Sequence, residues 1–124
     1  MNLLDTDVII NLLREKRYEA GAISVLTLIE LLRGLTAEKR TQTKKLLEES
    51  FTVLGIDNKI IEIYCSLYQE VKRRGMLLPD ADLLIAATAM SHGLALKTAN
   101  KQHFKRLEKL GLKLAGESSD HHEL

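Results

Sequence analysis

The feature that most constrains this chain is a set of short apolar runs that break at polar residues and restart with helical spacing. Leu3-Leu4 ends at Asp5-Thr6-Asp7, and Val8, Ile9, Ile10, Leu12 and Leu13 follow before the charged run Arg14-Glu15-Lys16-Arg17. A run that short reads as a buried strand, and the spacing after it reads as a helix, with the acids at the junction. Gly21 precedes a second short strand, Ala22-Ile23-Ser24. From Ser24 the positions Leu26, Ile29 and Leu32, and Leu28, Leu31 and Leu35, recur at three and four residues. Ser24 or Thr27 caps this helix and Gly34 closes it. A polar helix runs from Thr36 to about Ser50, with Leu46 and Leu47 as its main apolar residues. Phe51 to Ile56 reads as a strand, and Asp57 caps a long helix ending near Arg74-Gly75. Pro79-Asp80 opens an alanine-rich helix that His92-Gly93 closes. Leu94 to Thr98 is a strand, about Lys101 to Leu110 a short helix, and Leu112 to Ala115 a last strand. Strands alternating with helices define an α/β class with a short, mostly parallel central sheet flanked by helices.

The 124 residues fit one domain. We place it at residues 1–115, with 116–124 as a polar, frayed tail. A net charge of +1 excludes a basic nucleic-acid coat protein, so any contact with nucleic acid has to come from local features. No apolar run reaches the roughly 18 residues of a membrane span. The start, Met1-Asn2-Leu3-Leu4-Asp5, lacks the basic region of a signal peptide, so a cytoplasmic protein is expected. The one cysteine, Cys65, excludes a disulfide framework or a thiolate zinc site within one chain. Among Ile61, Tyr64 and Tyr68 it reads as a buried, inert thiol.

In parallel sheets of this class, ligands gather at the carboxyl ends of the strands. The first strand delivers Asp5, Thr6 and Asp7 there, and the strand from Leu94 delivers Thr98 and Asn100. Asp80 and Asp82 lie at a helix start, and Glu30 lies inside a leucine-rich helix. Each has a plain structural reading. Asp5 or Asp7 caps a helix, Asp80 caps the next, Glu30 faces solvent beside Arg33, and Asn100 serves a turn. Asp80 and Asp82 are two apart on one helix, so at most one of them shares a site with Asp5. His103, on a helix with Phe104 and Leu107, reads as an exposed structural histidine, and His92 as a helix-end residue. His121-His122 sits in a tail with no preorganised site.

Four segments together resemble a PIN-domain ribonuclease, specifically a VapC-type toxin of a type II toxin–antitoxin pair. They are Leu3 to Ile10, Ser24 to Gly34, Asp82 to Ala89 and Gly93 to Phe104, and the resemblance extends to about Ala115. It implies that Asp5, Glu30 and Asp82 are the core metal-binding acids and that Asn100 fills the fourth catalytic position, which is Asp or Asn in the family. With Asn there, the site has one negative charge fewer. Thr98, Asp80, Thr6 and Asp7 are secondary candidates. Clustered carboxylates suit Mg²⁺ or Mn²⁺, hard ions that prefer oxygen ligands. The implied reaction is metal-assisted hydrolysis of an RNA phosphodiester with no covalent enzyme intermediate.

Candidate RNA-contacting cations are Arg33, Lys97 and Lys101, with Lys105 and the run Lys72-Arg73-Arg74 beside them. The resemblance also implies a homodimer inhibited by a cognate VapB-type antitoxin, with Leu46 and Leu47 on part of the surface that receives it. Two rivals compete. Asp5 and Asp7 after a strand resemble the nucleophile pair of a haloacid dehalogenase-like phosphatase, a reading that leaves Glu30 and the Asp82–Ala89 segment unexplained. A non-catalytic PIN-fold binding module is the other, and the intact Asp5, Glu30 and Asp82 argue against it.

Overall fold

Each strand is three residues long and sends its side chains to opposite faces, so the sheet has helices on both sides. In the computed structural model, which describes residues 1–116, the order is β1 (Asn2–Leu4), α1 (Thr6–Arg14), β2 (Ala22–Ser24), α2 (Val25–Leu32), α3 (Ala37–Ser50), β3 (Thr52–Leu54), α4 (Asn58–Arg73), α5 (Asp80–Ser91), β4 (Ala95–Lys97) and α6 (Lys101–Lys105). A 3-10 segment, Arg106–Leu110, follows α6. The strands lie in the order β3-β2-β1-β4, and every pairing is parallel. Leu3 sits opposite Ala22 on one side and Leu96 on the other.

Alternation along the strands divides the core in two. Leu3, Ala22 and Leu96 face a cluster with Ile60, Leu67 and Val71 of α4, Leu83, Ala86 and Ala89 of α5, and Phe104 and Leu107. Leu4 and Ile23 face the other cluster, with Ile9, Leu12, Leu28, Leu32, Leu47 and Phe51. Ala86 and Ala89 are completely buried, and their small side chains let α5 approach the sheet closely. The chain builds β2 and β3 outward from one side of β1 and only later adds β4 on the other. That reversal lies between β1 and β4, and it opens a crevice at the carboxyl ends of those two strands. The Asp5 amide donates to the Lys97 carbonyl at 2.9 Å and ties the two strand ends together.

Several expectations are corrected. Leu112 to Ala115 forms no strand but a single bridge between Leu96 and Leu114. Gly111 turns the chain with φ at 112°, and Leu112 anchors in the core, so only Leu96 is left to pair with this segment. Cys65 is exposed, because α4 buries Ile60, Leu67 and Val71 and turns Cys65 away. Leu47 is fully buried on the inner face of α3, so only Leu46 remains on the surface expected to receive an antitoxin. The strand read from Phe51 to Ile56 keeps only Thr52–Leu54, since Phe51 ends α3. Pro79, not Asp80, occupies the N-cap position of α5, in extended backbone and without a side-chain cap bond. Residues 116–124, read as a frayed tail, lie outside the described residues beyond Gly116, and His121-His122 lie outside them altogether.

Candidate active site

The crevice between β1 and β4 holds a pocket of about 280 Å³ lined by Asp5, Thr6, Asp7, Glu30, Asp82 and Asn100, with Ile10, Ile85 and Phe104 as its apolar wall. Residues far apart in sequence therefore share one small volume. Asp5 arrives at the end of β1, Glu30 from the last turn of α2, Asp82 from the first turn of α5, and Asn100 at the N-cap of α6.

Asp5 is both a helix cap and a pocket acid. One carboxylate oxygen accepts from the Thr6 amide at 2.8 Å, and the other accepts from the Thr98 hydroxyl, also at 2.8 Å. Burial pushes its carboxyl above the usual aspartate range. The bonds from Thr98 and Thr6 oppose this, and the charges of Asp7 and Asp82 reinforce it. Thr98, itself buried, also accepts from the Asn100 amide at 3.0 Å, which shapes the turn into α6.

Glu30 does not pair with Arg33. Its Oε1 accepts from the Thr6 hydroxyl at 2.6 Å, and Thr6 Oγ1 lies 2.9 Å from Thr27 Oγ1. Thr6 has one hydroxyl proton and it goes to Glu30, so Thr27 must donate to Thr6. A relay from Thr27 through Thr6 to Glu30 results, built on a fully buried threonine. The sequence reading considered Thr27 only as a cap and missed this role. Asp82 Oδ2 lies 2.6 Å from His103 Nε2. The expectation of an exposed structural His103 is thus corrected: α6 packs against α5 through Phe104 and carries the half-buried imidazole to the acid.

The other candidates fall elsewhere or play smaller parts. Asp7 Oδ1 receives the Ala99 amide at 3.5 Å, at the pocket rim. Asp80 stands outside the pocket and accepts from the Tyr64 hydroxyl at 2.7 Å, as the opposed helix positions of Asp80 and Asp82 require. Lys97 pairs with Glu19 at 2.8 Å, Arg33 is exposed at the end of α2, and Lys101 begins α6. None of the three lines the pocket. Arg73 and Arg74 both engage Glu70, and Lys72 lies over the Tyr68 ring.

With no Lys or Arg in its lining, the pocket gathers negative charge. Its donors are oxygens, the set preferred by hard divalent cations. Among the described residues, however, no three acidic, histidine or cysteine side chains are already drawn together as a metal cage. Asp5, Glu30 and Asp82 are instead each held by a neighbouring hydrogen bond around a shared opening.

These features define a small parallel α/β domain with a carboxylate-lined pocket at its topological switch point. The PIN domain family model matches residues 3–110, and the chain belongs to that family. It is 41% identical over 115 residues to Ribonuclease VapC1 of Methanocaldococcus jannaschii, covering 90% of this chain and 85% of that protein. To Ribonuclease VapC1 of Rickettsia felis it is 31% identical over 122 residues, covering 87% and 91%. Among solved structures, VapBC-1 from nontypeable Haemophilus influenzae matches with a TM-score of 0.79 at 25% identity, covering 92% of this chain and 96% of that one. DNA-bound VapBC from Salmonella typhimurium matches with a TM-score of 0.75 at 26% identity, covering 93% and 98%. The resemblance read from the four segments is therefore sound, and membership of the PIN family excludes the haloacid dehalogenase reading. Among the described residues no helix is long and apolar enough to cross a membrane.

Proposed function

We propose that this protein is a divalent-metal-dependent ribonuclease, acting as the toxin of a VapBC-type toxin–antitoxin pair, with residues 1–115 as its nuclease unit. The observation that carries the reading is the convergence of Asp5, Glu30 and Asp82 from β1, α2 and α5 on one pocket that no cation lines. Mg²⁺ or Mn²⁺ is the cofactor, held by Asp5, Glu30 and Asp82, with Asn100 as a neutral fourth donor. When bound, it polarises a phosphate and lowers the pKa of a coordinated water. The chain's own residues supply the rest. Thr98 and the Thr6 amide orient Asp5, Thr6 orients Glu30, and His103 orients Asp82. Ile10, Ile85 and Phe104 form the apolar part of the wall.

The curated relatives are named as ribonucleases and the structural neighbours as VapBC assemblies, which supports RNA as substrate and a VapB-type antitoxin as partner. A homodimer in the cytoplasm completes the proposal. The test is incubation of purified protein with total RNA in EDTA, Mg²⁺ or Mn²⁺, followed by mapping of the cleaved ends. Cleavage that needs the metal and disappears in Asp5→Asn is expected. RNA binding without metal-dependent cleavage would instead support the non-catalytic binding module.

A further inference from the structure

A second cavity, about 420 Å³ in volume, lies near the carboxylate pocket on the other side of α6. Arg74, Lys105, Arg106 and Lys109 line it, with Gln102 and Met76, and no acid is in its lining. Many other cations are already committed: Arg17 to Glu15, Lys44 to Glu48, Arg73 to Glu70 and Lys97 to Glu19. Lys105 and Lys109 have no ion-pair partner among the described residues. Arg74 is shared with Glu70 at 3.2 Å, and Arg106 is steadied by the Leu77 carbonyl at 3.4 Å, which leaves guanidinium donors over.

We propose that this cavity binds the phosphodiester backbone of the RNA flanking the cleaved bond, an inference that rests on the ribonuclease reading above. Without a bound metal, the acids of the pocket, Asp5, Asp7, Glu30 and Asp82, repel a polyanion, so cations placed beside that pocket have to supply binding energy. α6 connects the two sites. Asn100 and Phe104 line the acidic pocket, whereas Gln102 and Lys105 line the basic cavity. At the helical rise, Asn100 and Lys105 are only about 7–8 Å apart along the axis, on different faces of this short helix, so a strand that passes around α6 reaches both sites. The described residues include few aromatic side chains, and none lines the cavity, so the contact is to phosphates and not to stacked bases.

The test uses the full chain carrying Asp5→Asn, in EDTA, with a fluorescein-labelled 20-mer of oligouridylate followed by anisotropy. Adding Lys105→Ala and Lys109→Ala should weaken binding about 10-fold at 50 mM NaCl, with a smaller loss at 200 mM, and reduce the slope of log K against log salt by about 1.4, the value for two lost single-strand phosphate contacts. Lys105→Gln with Lys109→Gln should do the same, and thermal melts check that both variants are folded. Lys39→Ala with Lys45→Ala, on exposed α3, is the control and should leave affinity and slope unchanged. Equal affinity and slope in parent and variants, or no RNA binding by the parent, overturns the proposal. So does unchanged RNA binding with lost binding of a poly-glutamate peptide, which assigns the cavity to an acidic protein segment. Binding that depends on Lys105 and Lys109 in a wild-type chain that never cleaves RNA sinks the ribonuclease reading and leaves this proposal standing. Cleavage by a wild type whose Lys105 and Lys109 are dispensable for binding does the reverse.

Discussion

His103 Nε2 stands 2.6 Å from Asp82 Oδ2, and Oδ1 of the same carboxylate has no hydrogen-bond partner among the described residues. The imidazole therefore holds one edge of the acid and leaves the other free. Partners of this kind, behind metal-binding carboxylates, typically alter metal affinity or activity 10- to 100-fold when removed. We expect His103→Ala to lower cleavage about 10-fold, and to shift the Mn²⁺ activation curve to higher metal concentration. Saturating Mn²⁺ should restore most of the activity, because His103 acts as a positioning residue. An unchanged activation curve would remove His103 from the site.

Asp5→Asn separates catalysis from stability. The folded carboxyl is raised chiefly by burial, helped by Asp7 and Asp82. Between its ordinary value of 3.8 and the raised one, the folded state binds more protons than the unfolded chain. Stability therefore falls as pH rises through that window. Asparagine carries no such charge and keeps an oxygen for the Thr6 amide, while its NH2 group faces Thr98 Oγ1 as a donor where the carboxylate accepted, which offsets part of the gain. The variant should lose cleavage yet melt higher than wild type at pH 7, with the difference closing below pH 3.8. Melting curves across pH read this directly.

Two acids of this candidate site were legible because they mark element boundaries, whereas Glu30, inside α2, came only from the family resemblance. Asp5 ends a strand, and Asp82 shares the helical register of Ile85, Ala86 and Ala89, the face that α5 buries. The opposed positions of Asp80 and Asp82 followed from helical geometry alone. What could not be read were partners made by tertiary packing. His103 reaches Asp82 from a helix 21 residues away, and Thr27 reaches Thr6 from the same separation. Local spacing carries no signal for either. Leu112 to Ala115 has the composition of a strand, yet only its bridge with Leu96 was available to it. Cys65 shows the limit of apolar neighbours as a guide: Ile61 and Tyr68 beside it are themselves exposed.

Gly21 tests the packing beneath the site. A Cβ there would lie 3.0 Å from the Asn2 carbonyl oxygen and 3.0 Å from Leu4 Cγ and Cδ1. Leu4 is fully buried beside Asp5, so it has little room to yield. Gly21→Ala should cost about 1–3 kcal/mol, the usual range for overpacking. Urea denaturation measures it, and a midpoint equal to wild type would show that β1 and β2 adjust freely.

Tyr64 and Asp80 give a prediction away from the acidic pocket. The hydrogen bond to Asp80 is the main cause that pushes the Tyr64 phenol up to about 12. Asp80→Asn should bring this ionisation down toward 10, the ordinary tyrosine value. Ultraviolet titration of the phenolate resolves it, with Tyr64→Phe identifying the transition. Because Asp80 lies outside the pocket, RNA cleavage by Asp80→Asn should match wild type. A large loss of cleavage would return Asp80 to the site.

The relay from Thr27 through Thr6 to Glu30 makes the most discriminating prediction. Thr6→Val keeps the side-chain shape but removes both hydrogen bonds of the hydroxyl. Thr27, completely buried, then loses the Thr6 oxygen that accepts its proton, which should cost about 1–3 kcal/mol. Glu30 loses the donor at 2.6 Å that sets its direction, and cleavage should fall about 10-fold. Thr6→Ser retains the hydroxyl and should recover most of both effects. Thr27→Val removes the far end instead, so Thr6 still donates to Glu30 and cleavage should fall much less. Measuring kcat, KM and melting temperature for the three variants separates orientation of Glu30 from general loosening of α1 against α2. If Thr6→Val and Thr27→Val reduce cleavage equally, the effect belongs to packing and the relay has no part in the chemistry.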